Sequence, residues 1–357
     1  ILPRRAVRAA GRIRGIAMKI NAQKVKKTAL NYLKTLIFPV AMWLLFLIIS
    51  AIGGSVASFT SGSGFEYIFR QSVLPTIVAL AIALPLSGGR WDFATGTIVV
   101  LGGIIGGNIG LAISENAIVI LLCCIVSATL LAAIEAIAYI VLRVPNMIVS
   151  LGIVMVYESF TSILFDGLGV QLNRYDSVIA ITQAPWCYII LAVILIVMYI
   201  LLERTKFGAD CKSLGRNAPL AINSGVKEKK NIFLTYIVVG VLLGVAAVFN
   251  ACQANVTPVS NLGSTSVMYS SMGAVLVGLF LADFTCMPWG VWVGAVGMQV
   301  MTYGMVCSGI DSSLQTVVTG VVIVLIVVYT SNQAAMVRAV KKLFARISPK
   351  KADNKSA

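Results

Sequence analysis

The sequence contains no histidine and few charged residues, since Asp, Glu, Lys and Arg make up 11% of its 357 residues. The absence of histidine excludes His-based general-base catalysis and His-ligated zinc sites. A soluble domain carries about 25% charged residues. The low charge, together with 59% hydrophobic residues and a mean hydropathy of +0.94, therefore indicates a polytopic membrane protein.

Signatures of common enzymes are also missing. No Gly-Lys dipeptide occurs, which excludes a Walker A phosphate loop, and no GxSxG nucleophile elbow or CxxC motif is present. The seven cysteines fall mostly inside apolar runs, where we expect them to be small buried hydrophobic residues. If the chain performs powered work, the energy must come from another chain or from an ion gradient.

Long apolar runs predict an all-α fold with about ten transmembrane helices, because a span needs about 20 mostly apolar residues. The predicted spans are residues 36–52, 71–87, 94–113, 117–142, 146–165, 186–202, 232–250, 267–284, 290–306 and 313–331. Glycines at four-residue spacing, such as Gly102 and Gly106, allow close helix packing. We expect this packing to lie mainly within the chain, with a subunit interface as the alternative.

The positive charges are concentrated in three segments outside these runs. Of the 28 Lys and Arg residues, ten lie in residues 4–34, seven in 204–230 and seven in 338–355. Such clustering is typical of cytoplasmic segments of membrane proteins rather than of nucleic-acid binding. An even number of predicted spans separates each pair of clusters, which places both termini and the 203–230 loop in the cytoplasm.

These boundaries divide the chain into three parts: a basic N-terminal segment 1–34, a transmembrane domain 35–332 that includes the 203–230 loop, and a basic tail 333–357. Residues 1–17 precede Met18 and are interpreted as an upstream extension or a mis-assigned start. We predict a multi-pass protein in the cytoplasmic membrane of a prokaryote, in contact with membrane lipid and not with nucleic acid.

Two carboxylates fall inside predicted spans, where a charge is costly and indicates a function or a buried partner. Glu135 lies in "LAAIEAIAYI" and Glu158 in "GIVMVYESFTS", with Ser162 four residues further on the same helix face. These residues either line a substrate pathway or are protonated or hydrogen-bonded structural groups, and the sequence leaves both interpretations open.

The segment "LSGGRWDFATG" interrupts the apolar sequence with two glycines and with Arg90 and Asp92. One interpretation is a tight turn that contains an Arg90–Asp92 pair. The other is a non-helical segment that lines the pathway, since irregular backbone at membrane depth must be buried in protein or face a cavity.

The polar segment "SLGRNAPLAINSGVKEKK" lies between two long apolar runs, in the predicted cytoplasmic loop. Within it, Asn217 can cap a short helix that has Pro219 in its first turn. Gly225 can end that helix in a left-handed conformation. Small residues on the helix are expected to permit close docking on a partner.

Four segments occur in order along the chain: "GGRWDFATG" from Gly88, "VPNMIVSLGI" from Val144, "FGADCKSLGRNAPLAINSGV" from Phe207 and "GAVLVGLF" from Gly273. Together these segments resemble one family, the inner-membrane permease subunits of ABC importers for ribose and other simple sugars. The wider group includes nucleoside and branched-chain amino acid permeases. The resemblance covers about residues 35–332 and is most specific in the third segment.

The resemblance implies a permease subunit without its own ATPase site, for which a partner ATPase would use ATP and Mg²⁺. It further implies a second permease subunit, identical or related, and an extracytoplasmic solute-binding protein. The coupling helix that meets the ATPase would contain Gly215, Asn217, Ala218, Pro219, Ala221 and Gly225.

Departures from the family pattern leave the substrate open. Arg90, Trp91 and Phe93 replace most of the usual "IDLS", of which only the acidic position remains as Asp92, and Glu158 stands where an Arg is usual. A simple sugar is the first expectation and a nucleoside the second. The alternative class is an ion-coupled secondary transporter that uses Glu135 and Glu158, and a membrane scaffold without transport activity is a third class. The pathway candidates are thus Arg90, Asp92, Glu135, Glu158 and Ser162.

Overall fold

The computed structural model describes residues 29–52 and 59–347, so the predicted segments 1–34 and 333–357 lie partly outside the described residues. Within these ranges the protein is built from helices, and the β-structure is limited to one antiparallel bridge between Val170 and Val256. Two short 3₁₀ turns, Leu164–Gly167 and Leu172–Arg174, lie in one long loop. The α-helices are α1 (Ile37–Ile52), α2 (Gly62–Gln71), α3 (Val73–Ser87), α4 (Thr95–Ile113), α5 (Ala117–Leu142), α6 (Asn146–Ile163), α7 (Asp176–Thr182), α8 (Trp186–Arg204), α9 (Lys206–Arg216), α10 (Ala218–Asn223), α11 (Glu228–Gln253), α12 (Thr265–Ala282), α13 (Met287–Cys307) and α14 (Ser312–Ile347).

The predicted all-α membrane fold is confirmed, with nine helical segments in the described ranges long and apolar enough to cross a bilayer. The second of these begins at Gly62 rather than at residue 71, because α2 and α3 follow each other almost without interruption. The sequence "GSGFEYIFRQ" of α2 contains the charged residues Glu66 and Arg70, which lower its hydropathy. For this reason the apolar pattern did not predict that the span begins at Gly62. The tenth predicted span, 313–331, falls in α14, whose apolar part, Ser312–Val328, is shorter than the other nine.

Residues 310–347 form a separate compact unit that contains α14, and the remaining helices form the other unit. In that larger unit, α5 lies between α4 and α11. The glycines of both neighbours face the α5 backbone: a Cβ at Gly110 would lie 2.8 Å from Ile120 Cα, and one at Gly240 would lie 2.5 Å from Thr129 Cα. Small residues thus permit close packing within the chain, as predicted.

Contacts between loops define two ends of the larger unit. At one end, named here the α10 end, the turn 88–94 meets both α9 and the start of α6. At the other end, named the α7 end, the loop 164–185 meets the loops 114–116 and 254–264. Successive spans predict that consecutive loops lie on opposite sides of the membrane, and the loops at the two ends follow this order. The 203–230 segment lies at the α10 end.

Candidate functional site

The helix α10 begins as the sequence predicts. Asn217 is its N-cap, and the Oδ1 atom of Asn217 accepts a hydrogen bond of 3.1 Å from the backbone N–H of Leu220. Ala218 and Pro219 occupy the first turn, where a proline leaves no additional donor unpaired. Local chemistry alone therefore fixes the start of this helix.

The end of α10 also matches the prediction. Gly225 has a φ of +90°, in the left-handed region that favours glycine. Its N–H donates to the Ile222 carbonyl at 2.9 Å, and the N–H of Val226 donates to the Ala221 carbonyl at 3.1 Å. This pair of bonds is the Schellman arrangement, which satisfies the last carbonyl groups of a helix.

The two sides of α10 differ in size and exposure. Ala221 is only 5% exposed, whereas Leu220 is 63% exposed and Ile222 is 43% exposed. The small residue thus faces the protein's own chain, and two large apolar residues face outward. Sequence reasoning emphasised the small residues and missed Leu220 and Ile222, although two large apolar residues flanking an alanine in a polar loop were a usable signal.

Gly215 contacts the chain's own backbone rather than an open surface. A Cβ at Gly215 would collide with the carbonyl oxygen of Ser87, and it would lie 3.3 Å from the carbonyl carbon of Gly88. Gly89, which has a φ of +77°, also lies next to Gly215: a Cβ on Gly89 would be 3.6 Å from the Gly215 Cα. The glycine therefore fixes α9 to the turn that follows α3, and this turn leads directly to Arg90 and Asp92.

The segment 88–94 is a tight turn, as one of the two interpretations predicts. The Oδ1 atom of Asp92 accepts from the Ala94 N–H at 2.8 Å, and its Oδ2 accepts from the Thr95 hydroxyl at 3.5 Å, so that Asp92 satisfies donors at the start of α4. Arg90 and Asp92, both within the described residues, do not form the ion pair that this interpretation predicts. Arg90 is 5% exposed, and its Nη1 atom has no hydrogen-bond partner in the described part of the chain.

Glu135 lies two turns before the end of α5 and is fully buried. Neither of its carboxyl oxygens accepts a hydrogen bond from a donor among the described residues. Its carboxyl group lies within reach of the carboxyl group of Asp92, and the phenol of Tyr236 interacts electrostatically with both and with Arg90. The structure therefore brings Asp92 and Glu135 together, whereas the Nη1 atom of Arg90 lies beside Gly88, 3.0 Å from where a Cβ on that glycine would be.

Glu158 belongs to a different place in the fold, near the α7 end. Its Oε1 accepts from the N–H and the hydroxyl of Ser264, at 2.9 and 2.6 Å, and its Oε2 accepts from the Leu262 N–H at 2.8 Å. Thr161 binds the same loop, because its hydroxyl accepts from the Val259 N–H at 3.0 Å. Of the two interpretations of Glu158, these contacts favour a hydrogen-bonded structural group.

Ser162 does not share the environment of Glu158, since it is exposed while Glu158 is buried. The first two turns of α12, which begins directly after the Ser264 that Glu158 binds, expose Ser266, Tyr269 and Ser270. The large side chains exposed on α5, and on α8 before Glu203, are apolar, as expected for surfaces in contact with lipid. The polar residues Ser162, Ser266, Tyr269 and Ser270 are named here the polar face.

Comparison with known proteins identifies the family. A family model described as "Branched-chain amino acid transport system / permease component" matches residues 64–327, well over half of the chain. The galactose/methyl galactoside import permease protein MglC of Escherichia coli (strain K12) is 24% identical over 334 residues, which cover 87% of this chain and 98% of the relative. The D-allose transport system permease protein AlsC of the same strain is 22% identical over 284 residues, 78% of this chain and 86% of the relative.

A third relative is the ribose import permease protein RbsC of Escherichia coli (strain K12), 21% identical over 306 residues, which cover 82% of this chain and 92% of the relative. These matches confirm the resemblance to permeases of simple-sugar ABC importers. With nine apolar helices in the described ranges, they also place the chain in the inner membrane of a prokaryote as a multi-pass protein. The chain therefore belongs to the family of branched-chain amino acid transport system permease components.

Proposed function

We propose that this chain is the membrane-spanning permease subunit of an ATP-driven, binding-protein-dependent importer for a simple sugar. A partner ATPase uses ATP and Mg²⁺, an extracytoplasmic solute-binding protein delivers the sugar, and the chain pairs with a second permease subunit, identical or related. Closure of the ATPases switches the helices between outward and inward access. Support for the sugar comes from relatives named for galactose, allose and ribose import.

The observation that carries this proposal is the form of α10. The helix is capped at both ends and presents Leu220 and Ile222 outward, at the end of the bundle where the basic residues of the 203–230 segment lie. Exposed apolar side chains on a short, rigid helix suit insertion into a groove of another protein. The basic residues support a cytoplasmic location, where an ATPase is available.

Movement of α10 can be transmitted to the transmembrane helices through α9 and the turn that follows α3. α10 follows α9 with one residue between them, and Gly215 of α9 is fixed to the backbone of Ser87. A displacement of α9 must therefore displace the turn 88–94 or break this contact, because backbone atoms packed this closely cannot slide past one another without a clash. This contact supports the assignment of Gly215 to coupling, as a residue that transmits movement rather than one that touches the ATPase.

The polar face supports a position for the sugar pathway. Hydroxyl groups facing lipid lack hydrogen-bonding water, whereas the same groups can bind the hydroxyl groups of a sugar in a watery path between two subunits. We place the outer part of the pathway along Ser162, Ser266, Tyr269 and Ser270. Arg90, Asp92 and Glu135 lie inside a single chain and are assigned to the control of helix movement.

The test is copurification of the permease with its proposed partner ATPase. We expect Leu220→Asp and Ile222→Asp to lose the ATPase, because a charge cannot enter an apolar groove without a partner. Leu168→Asp is the matched control, since Leu168 is an exposed leucine at the α7 end. Equal recovery of ATPase with Leu220→Asp and Leu168→Asp would contradict the docking role, and no ATPase with the unmodified chain would contradict the function.

An ion-coupled secondary transporter is the second candidate, and the unpartnered carboxyl group of Glu135 favours it. Glu158 does not support this candidate function, because its oxygens already accept three hydrogen bonds from the chain. Uptake into cells decides between the two classes. Uptake that stops on ATP depletion supports the importer, whereas uptake that stops only when the ion gradient collapses supports the second candidate. Competition by nucleosides rather than sugars would change the proposed substrate alone.

A further inference from the structure

We propose that Asp92 and Glu135 bind one proton between them, with Glu135 carrying the proton and donating it in a hydrogen bond to Asp92. The pair is a proton-binding site inside one permease chain, distinct from the sugar pathway and from the ATPase contact. The proposal follows from the burial of the two carboxyl groups and from the hydrogen-bond donors around them.

The two carboxyl groups have unequal surroundings. Asp92 accepts hydrogen bonds from the Ala94 N–H and the Thr95 hydroxyl, and both bonds stabilise its ionised form. Glu135 is fully buried and receives no hydrogen bond among the described residues. An ionised Glu135 would have no donor among the described residues, whereas a protonated Glu135 is itself a donor with an acceptor beside it.

The other polar side chains near Glu135 are already committed elsewhere. The hydroxyl of Tyr157 donates to the Leu131 carbonyl at 2.9 Å. The hydroxyl of Tyr236 donates to Asn146 Oδ1 at 3.0 Å, and Asn146 Nδ2 in turn donates to the Trp91 carbonyl at 2.6 Å. Glu135 therefore obtains no donor from α6 or α11, which leaves Asp92 as its partner.

Two buried carboxyl groups in contact cannot both ionise at low dielectric, because the two negative charges would repel each other. One proton held between them removes this repulsion. Tyr157 and Tyr236 are the other titratable groups that face the site.

The bound proton has a structural consequence. It joins the turn 88–94, which carries Asp92, to α5, which carries Glu135. The same turn is fixed to α9 through Gly215 and Ser87. Loss of the proton would place two anions in contact and push the turn away from α5, so we infer that proton binding stabilises one position of the α9–turn unit.

Infrared spectroscopy of the purified, folded protein tests the site without requiring transport. We expect the unmodified protein at neutral pH to show the C=O stretch of a protonated carboxylic acid that shifts in D₂O, and Glu135→Gln to lose that one band. Glu115→Gln is the control, because Glu115 is exposed at the α7 end and should leave the band unchanged. Asp92→Asn should retain the band at a shifted frequency, since Glu135 then has a different acceptor.

Absence of the band in the unmodified protein would overturn the proposal, and so would a band that survives in Glu135→Gln. A band that disappears in Asp92→Asn but not in Glu135→Gln would move the proton to Asp92 and contradict the assignment. If Glu135→Gln does not fold, Glu135→Met provides the second variant, because an uncharged side chain of similar length fits a site that holds no charge on this residue.

Discussion

The carboxylate of Glu158 on α6 binds both the backbone N–H and the hydroxyl of Ser264, the residue before α12. A helix start has unpaired N–H groups and a partial positive charge, so an anion at this position satisfies both needs. One side chain thereby connects α6 to the start of α12 through two residues that are 106 positions apart in the sequence. The polar face lies immediately beside this connection.

Glu158→Gln should destabilise the fold. The amide nitrogen of glutamine cannot accept a hydrogen bond, so at least one of the three donors at Leu262 and Ser264 loses its partner. An unsatisfied buried donor costs about 1–3 kcal/mol. Thermal unfolding in detergent should show a lower Tm than for Ser159→Ala, a change at an exposed neighbour whose hydroxyl bonds only within α6. Equal Tm values would show that the connection is not needed for stability.

Gly215→Ala should weaken the contact between α9 and the turn after α3. The added methyl group meets the Ser87 carbonyl, and overpacking of this kind costs about 1–3 kcal/mol. Gly152→Ala on α6 is the matched change, because no atom lies within 4 Å of its added Cβ and alanine favours a helix by about 0.5–1 kcal/mol. The midpoint of chemical unfolding should therefore fall for Gly215→Ala and rise for Gly152→Ala, relative to the unmodified protein. A shift in the same direction for both variants would argue against the contact.

Gly225→Ala should reduce ATPase recovery without reducing the amount of folded permease. Its left-handed φ costs an alanine about 1–2 kcal/mol, which loosens the end of α10. Gly309→Ala carries the same kind of strain, with a φ of +70° and no neighbour within 4 Å, but does not lie on α10. Copurification measures the difference. If both variants recover ATPase equally, the order of α10 does not matter for docking.

Removing hydroxyl groups from the polar face should slow sugar uptake. Ser266→Ala combined with Tyr269→Phe removes two hydroxyls, and each lost hydrogen bond to a sugar costs about 0.5–1.5 kcal/mol. This corresponds to roughly a 5- to 150-fold slower uptake for the pair. Vesicles containing permease, ATPase and binding protein provide the measurement, with Leu130→Ala on the apolar surface of α5 as control. Unchanged uptake would remove these residues from the pathway.

Features that depend on a few neighbouring residues could be predicted from the sequence. The start of α10 at Asn217 and its end at Gly225 follow from the side-chain acceptor of asparagine and the backbone freedom of glycine, and both are confirmed. The apolar runs predicted most spans for the same reason, since hydropathy is a local property. α2 was not predicted as part of a span because two charged residues interrupt its apolar sequence.

Features that depend on distant contacts could not be predicted. The sequence placed Glu135 and Glu158 in one list of pathway candidates, but the structure separates them into sites with opposite chemistry. Glu158 finds three donors in a loop about 100 residues away, while Glu135 finds none. No local pattern reports which donors a distant loop will supply, nor that Gly215 faces Ser87 instead of a partner.

The packing of glycines around α5 limits how this protein can change shape. Gly106 and Gly110 of α4 and Gly240 and Gly244 of α11 bring backbone atoms against α5 on two sides. A helix held in this way cannot rotate or slide without opening voids or creating clashes. We therefore expect α4, α5 and α11 to move as a single rigid body, so that a transport cycle bends the chain at hinges outside them.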